Sequence, residues 1–243
     1  MISKLENILK NCIIKPIKLA TLAASLYLTN SVYSADVNIP KDYQKIQAGI
    51  DAAVNGDSVI VAPGVYNELV DFKGKAITLK SSDGAERTII DGFGFNDSVV
   101  KCVNGETLDT ILEGFTITGG GVGRFFPNNM VGGGMFNYQS SPTIINCIFK
   151  DNLMSDSSSA GGGMFNANSS PTIMNSLFIR NVATHSGAMQ NFESNIHLIN
   201  CVFSHNYSGH SAGGIYNHDS SCDMQNCIFN DNFASNGQGG AIF

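Results

Sequence analysis

The chain has 243 residues, of which 14 are basic and 20 acidic, so its formal net charge at pH 7 is −6. An acidic protein repels phosphate groups, which excludes nucleic acid and anionic membrane surfaces from the expected partners. The spacing of the six cysteines does not suit a zinc site, and no metal or cofactor is expected.

Residues 1–34 are predicted to be a secretory signal peptide. Four lysines precede or enter a ten-residue segment, Leu19 to Leu28, that is apolar apart from Thr21 and Ser25, and Val32-Tyr33-Ser34 supplies small residues at the cleavage positions. The apolar segment is too short to span a membrane. We therefore expect an exported protein, extracellular or on an outer-membrane surface, that is not integral to the membrane. An uncleaved anchor is the alternative interpretation.

Residues 38–60 are predicted to cap the start of the fold. Apolar residues at 46, 50 and 53 have the spacing of a short amphipathic helix, which Asn55-Gly56 would end. Such a helix covers the open edge of a first coil, as the ends of solenoids require. Short apolar segments follow at 58–62, 76–80, 88–91 and 110–118, and they are expected to be strands of less regular coils.

Residues 132–243 contain a repeat. Gly-Gly-Gly-Met-Phe-Asn occurs at 132–137 and 161–166, and related versions stand at 186–191 and 212–217. Each is followed by Phe-x-x-Asn, beginning at Phe149, Phe178, Phe203 and Phe229. The apolar segments between them are short, β-branched or aromatic, and bounded by turn residues, which predicts strands. A fixed period in this range is typical of a solenoid. We predict an all-β, right-handed parallel β-helix with three short strands per coil and a short N-terminal capping helix.

The repeat also assigns roles to aligned positions. The four Phe of Phe-x-x-Asn are expected to stack inside the coil, and Cys147, Cys201 and Cys227 to lie inward as small buried residues. A bridge between Cys201 and Cys227 in adjacent coils is the alternative, although in-register stacking fits disulfide geometry poorly. Asn146 and its equivalents are predicted to form corners with positive φ and to hydrogen-bond from coil to coil. The Asn of Phe-x-x-Asn is predicted to form a second such column.

No linker interrupts residues 37–243, which we expect to form one β-helix domain, with its regular repeats at 132–243. The motif opens once more as Gly-Gly-Ala-Ile-Phe at 239–243, where the sequence stops. We therefore expect the chain to be a truncated piece of a longer repeat protein.

Two parts of the chain resemble known families. The segments 46–53, 56–66, 90–92 and 114–118 are similar to the opening of secreted pectin-lyase-like β-helix proteins. The Phe-x-x-Asn and Gly-Gly-Ala-Ile motifs resemble the repeats of chlamydial-type polymorphic outer-membrane proteins, an autotransporter and adhesin family. Together they cover almost all of the chain after the signal peptide. The resemblance implies the fold more narrowly than the function, because this fold hosts lyases, hydrolases, esterases, adhesins and stalks.

An enzyme of this fold requires convergent titratable side chains, usually on the outer side of the strand that follows the glycines. In residues 130–243 the positions predicted to face outward there carry no charge, so no catalytic residue is assigned; the sequence favours a non-enzymatic role but leaves an enzyme open. Gly64-Val-Tyr-Asn-Glu68 resembles the first motif of pectin methylesterases, but their downstream Asp and Arg motifs have no match. Glu68 is therefore expected to be an ordinary surface carboxylate.

A binding site is the remaining hypothesis. Phe136, Phe165, Gln190 and Tyr216 are predicted to form an outward aromatic strip, beside a glycine-rich loop that contains Arg124, Phe125 and Phe126. Aromatic platforms suit sugar rings and protein partners alike. The alternative interpretation is cross-strand stacking that only stabilises the sheet, which is the ordinary role of such pairs.

Two classes of function stay open. The first is an exported or surface-displayed β-helix that binds a glycan or a host or cell-surface protein, as an adhesin or a structural passenger. The second is a polysaccharide-active enzyme, similar to a pectate lyase, polygalacturonase or pectin esterase, whose catalytic residues are not evident in this segment.

Overall fold

Parallel β-strands and one short helix make up the fold. In the computed structural model, the structure describes residues 34–121, 132–154, 160–236 and 239–243. The predicted signal peptide lies outside these residues, apart from Ser34, and stays a prediction. The helix, α1, is Ile46–Ala52.

The strands are short and follow one another closely along the chain. In order they are β1 Asp36–Ile39, β2 Ser58–Val61, β3 Gly64–Asn67, β4 Val70–Asp71, β5 Thr78–Ser81, β6 Thr88–Asp91, β7 Val100–Cys102, β8 Ile111–Glu113, β9 Thr116–Thr118, β10 Met135–Tyr138, β11 Thr143–Ile145, β12 Ile148–Lys150, β13 Met164–Ala167, β14 Thr172–Met174, β15 Leu177–Ile179, β16 Val182–Ala183, β17 Met189–Phe192, β18 Asn195–Ile199, β19 Val202–Ser204, β20 Tyr207–Ser208, β21 Ile215–His218, β22 Ser221–Gln225, β23 Ile228–Asn230 and β24 Phe233–Ala234.

The strands stack into four parallel sheets that run along one axis. Sheet A has the order β1-β2-β5-β8-β11-β14-β18-β22, sheet B β3-β6-β9-β12-β15-β19-β23, sheet C β4-β7-β10-β13-β17-β21, and sheet D β16-β20-β24. Each regular coil adds one strand to sheets C, A and B in turn, and equivalent repeat positions are register partners, as with Met135 and Met164. The predicted right-handed parallel β-helix is confirmed.

The predicted helix is also confirmed, and the following coil fixes both of its ends. Ile46 and Ile50 are buried against the first strands. The backbone N–H groups of Ile46 and Gln47 donate to Glu68 Oε1 and Oε2 at 2.9 and 3.0 Å. Lys75 Nζ donates to the carbonyl oxygens of Ile50, Asp51 and Ala53 at the other end. A carboxylate at the N-terminus and an ammonium at the C-terminus both complement the helix dipole.

This arrangement corrects the expectation for Glu68. Its carboxylate is buried, and its two oxygens accept hydrogen bonds from α1. The sequence could not indicate this role, because the helix amides precede Glu68 by about twenty residues. Glu68 is therefore a capping residue of the helix and not an ordinary surface carboxylate.

The Phe of Phe-x-x-Asn form the predicted inner stack. The ring centroids of Phe149 and Phe178 are 4.7 Å apart, those of Phe178 and Phe203 4.9 Å, and those of Phe203 and Phe229 4.8 Å. These spacings equal the distance between neighbouring strands, so each ring lies directly above the next. The thiols of Cys147 and Cys201 lie inward beside this stack, and all cysteines of the described residues are free.

Asparagine side chains form hydrogen-bonded ladders along the axis. At the corner between sheets A and B, Asn146, Asn175, Asn200 and Asn226 all have positive φ, as predicted. In the first three Phe-x-x-Asn motifs the Asn is buried, and Asn181 Nδ2 donates both to Asn206 Oδ1 at 3.0 Å and to the carbonyl oxygen of Phe149 at 2.9 Å. A third ladder, which the sequence did not predict, runs through Asn137, Asn166, Asn191 and Asn217.

Replacing Asn181 with Ala tests the buried ladder. The change leaves the Phe149 carbonyl and the Asn152 backbone N–H without their present partners. Each buried polar group left unpaired costs about 1–3 kcal/mol, so the free energy of unfolding is expected to fall by about 3 kcal/mol or more. Urea unfolding measures it. The matched control is Asn175→Gly, which keeps the positive φ at an exposed corner and should cost less than about 1 kcal/mol. Equal losses in both variants would contradict a special role for the buried ladder.

Candidate functional site

The outer face of sheet C contains the predicted aromatic strip. Phe136 is the register partner of Phe165, Phe165 of Gln190, and Gln190 of Tyr216. The ring centroids of Phe136 and Phe165 are 5.6 Å apart, with the rings nearly parallel. The four side chains are therefore aligned along the axis, as the repeat predicted.

Most of this strip is not accessible, however. Phe136, Phe165 and Gln190 are only 2%, 3% and 4% exposed. The two rings belong to a second apolar core outside the coil, in which they pack with Met154, Ala160, Ala167 and Ala183. The alternation of strand residues predicts that a side chain leaves the coil, but it does not predict which neighbouring segment covers it. The expectation of an exposed aromatic platform is therefore wrong for most of the strip. Tyr216 is the most accessible of its four residues.

The loop residues assigned with the strip, Arg124, Phe125 and Phe126, lie outside the described residues. Their part in binding stays a prediction. Gln190 has a further property, because its Oε1 atom is buried and has no hydrogen-bond partner among the described residues. Gln190 is the polar member of the predicted aromatic strip.

The same column continues with charged residues that the sequence analysis missed. Lys101 is the register partner of Phe136, and Asp71 is that of Lys101. The Lys101 ammonium forms an ion pair with Asp97, and Asp71 Oδ1 accepts a hydrogen bond from the backbone N–H of Lys73 at 2.8 Å. The signal was the alternation in Val-Lys-Cys at 100–102, which places Lys101 outward between two buried residues. Within the described residues, the Lys101 ammonium is thus paired with a carboxylate, and the Asp71 carboxylate is held by a backbone hydrogen bond.

The histidines do not assemble a metal site. The rings of His185 and His210 have centroids 6.0 Å apart, and burial, followed by the charge of His210, lowers the pKa of His185. The remaining histidines each lie near an exposed aspartate, as His197 lies 3.7 Å from Asp223. Within the described residues no group of three or more His, Cys, Asp or Glu side chains has a metal-binding arrangement.

A groove beside α1 is the accessible feature that the sequence analysis did not identify. Its volume is about 430 Å³, and its lining consists of Lys45, Gln47, Ala48, Asp51, Asn67, Glu68, Leu69 and Phe95. Phe95 is 47% exposed, and Phe93, two residues earlier, is 78% exposed. The sequence signal that could have indicated this feature was Phe93-Gly94-Phe95, in which a glycine separates two large aromatic residues in a polar loop.

Comparison with known proteins identifies no family. No family model matches the sequence, and no curated protein matches it. Among solved structures, the chain is similar to a pectin methylesterase from Aspergillus niger in its penultimately deglycosylated form, with 12% identity, a TM-score of 0.42, and coverage of 84% of this chain and 86% of that chain. The deglycosylated form has the same identity and coverage and a TM-score of 0.36. Likeness at this level supports neither an activity nor a substrate.

None of the helices in the described part of the chain is long and apolar enough to cross a membrane.

Replacing Phe165 with Ala tests whether the strip is a core or a platform. Because the ring is buried between Phe136 and the alanines around it, its removal leaves a cavity. Such substitutions cost about 3–5 kcal/mol, and the free energy of unfolding measured in urea is expected to fall by that amount. Tyr216→Phe keeps the ring of a more accessible position and serves as the control. An undiminished stability of Phe165→Ala would show that the second core contributes little.

The buried thiols give a test of the interior. Burial raises the pKa of Cys147 to about 12 and that of Cys201 to about 11. Both therefore stay protonated at pH 8, and the thiolate is the reactive form. We expect neither to react with a disulfide reagent in the folded protein, and both to react in guanidinium chloride, as mass spectrometry of peptides would show. Rapid modification of Cys147 without denaturant would contradict the stacked interior.

Proposed function

We propose that this chain is an exported binding protein, in which a rigid β-helix displays a recognition surface for a glycan on or outside a cell. The observation that supports it best is a pair of large apolar side chains exposed to solvent in one loop. Phe93 and Phe95 are 78% and 47% exposed, and Phe95 lines the groove beside α1. Exposed apolar groups that border a groove are typical of binding sites.

The state of the titratable groups favours binding over catalysis. On the outer face of sheet C, Lys101 is paired with Asp97, and Asp71 is engaged by the backbone of Lys73. In the groove, Glu68 accepts hydrogen bonds from the helix, and Asp51 pairs with Lys73 at 2.7 Å. General acid–base catalysis requires a group that is free to exchange a proton with a substrate. Among the described residues, each of these carboxylates has a structural partner.

An exported binding role agrees with the predicted signal peptide and with the acidic chain, which is suited to neither nucleic acid nor anionic membranes. In this proposal the ladders and the stacked rings keep the surface rigid. A rigid receptor loses less conformational entropy when it binds than a flexible one does.

The proposal is tested by measuring binding and turnover in parallel. We expect the purified protein to bind to glycans in an array or on intact cells. We expect no unsaturated product from polygalacturonate with Ca²⁺, no methanol from methylated pectin and no new reducing ends. Turnover that is lost in Lys101→Ala would contradict the proposal and establish an enzyme with its site on sheet C. Absence of binding to any glycan or cell would also end it.

A further inference from the structure

The loop that contains Phe93 and Phe95 is fixed in place by the coils on either side. The Asn67 side-chain amide donates to the carbonyl oxygens of Asp91 and Phe93 at 3.0 and 3.2 Å. The backbone N–H of Phe93 donates to Asp91 Oδ1 at 2.9 Å, and that of Gly92 to the carbonyl oxygen of Thr118 at 2.9 Å. We call residues 91–97 the aromatic loop.

Gly119 shows how closely the next coil approaches this loop. A Cβ atom added at Gly119 would lie 2.2 Å from Asp91 Oδ1 and 2.6 Å from the backbone nitrogen of Phe93. Only a glycine permits this contact, and Gly119 also has a positive φ of 70°. The two rings therefore project from a backbone that neighbouring coils hold on both sides, although solvent reaches most of Phe93.

The groove next to the rings offers hydrogen-bonding atoms that the fold does not use. The Lys45 ammonium forms no ion pair or hydrogen bond with the described residues, although Lys45 lines the groove. The Asn67 amide nitrogen is engaged by the loop, which leaves the Asn67 amide oxygen as an acceptor that faces no described donor. The groove thus combines a free donor and a free acceptor with an exposed ring, Phe95.

Sugar chains match this combination. The axial C–H groups of a pyranose ring are apolar and lie against aromatic faces, whereas its hydroxyls both donate and accept hydrogen bonds. A groove of about 430 Å³ is within the size range of sites for small ligands.

The net charge of the chain favours neutral over acidic sugars. In the groove the Asp51 carboxylate is paired with Lys73 and the Glu68 carboxylate caps α1, but the whole chain has a net charge of −6. An anionic saccharide would be repelled on approach, whereas a neutral one would not.

We propose that the groove between α1 and the aromatic loop binds a chain of neutral pyranose rings, which stack on Phe93 and Phe95 and hydrogen-bond to Lys45 and Asn67. This assignment rests on the proposed function, because it names the ligand class and the location of its binding site.

Isothermal titration calorimetry tests the assignment with cellohexaose, mannohexaose and N-acetylchitohexaose as neutral probes and hexagalacturonate as the acidic probe. At least one neutral probe is expected to bind. Its affinity is expected to fall at least roughly tenfold in the double variant Phe93→Ala and Phe95→Ala, which corresponds to a loss of about 1.4 kcal/mol. Because both side chains are largely exposed, the melting temperature of the variant should stay close to that of the unmodified protein.

Two further variants separate stacking from a structural effect. Phe95→Tyr keeps the ring and should retain binding, whereas Phe233→Ala removes an exposed ring on sheet D and should leave the affinity unchanged. Glycan binding that the double variant leaves intact would overturn this site but not the proposed function. Selective, salt-sensitive binding of hexagalacturonate would overturn the neutral ligand class. Absence of binding to all four probes and to every glycan array and cell would end both proposals.

Discussion

Every coil must place its strands directly over those of the coil before it, because the backbone hydrogen bonds between coils connect equivalent positions. Side chains at those positions therefore lie about 4.8 Å from their own counterparts. An interior position can repeat only a side chain that is compatible with a copy of itself. Phenylalanine rings stack, as Phe149 and Phe178 do, and an asparagine amide donates to the next amide oxygen, as Asn181 does to Asn206. A repeated charge in the interior would repel its own copies and would lack solvation.

The same constraint explains the glycines that begin each repeat. A Cβ atom at Gly133 would lie 2.4 Å from the carbonyl oxygen of Gly162, and one at Gly162 would lie 2.4 Å from that of Gly187. The backbone of the next coil occupies the space that a side chain would need at this corner, so a side chain there would push the coils apart and break the register that the ladders require.

Apart from α1, the features that the sequence predicted lie in the part of the fold that repeats, although the third asparagine ladder also repeats and was not predicted. The inner Phe stack and the Asn146 corner follow from local pattern and turn chemistry, and neighbouring coils reinforce each choice. Contacts that occur once were not predictable. The cover over Phe165 comes from Met154, Ala160 and Ala183, and the side chain at such a position changes from coil to coil, since Ala183 has Ser208 as its register partner and Ser208 has Ala234. The exposure of Phe93 was not predictable either. It depends on the surrounding coils, because the same Phe-Gly sequence is compatible with a ring that faces the interior.

Both ends of α1 are capped by residues that come later in the chain, and this has a consequence for how the fold is completed. The groups that complete its two ends, the Glu68 carboxylate and the Lys75 ammonium, belong to the coil that follows. A helix of seven residues is too short to persist alone in water. The helix that covers the first coil therefore depends on residues that lie more than twenty positions further along the chain. The N-terminal end of the solenoid is thus completed by a later part of the sequence, although it comes first in the chain.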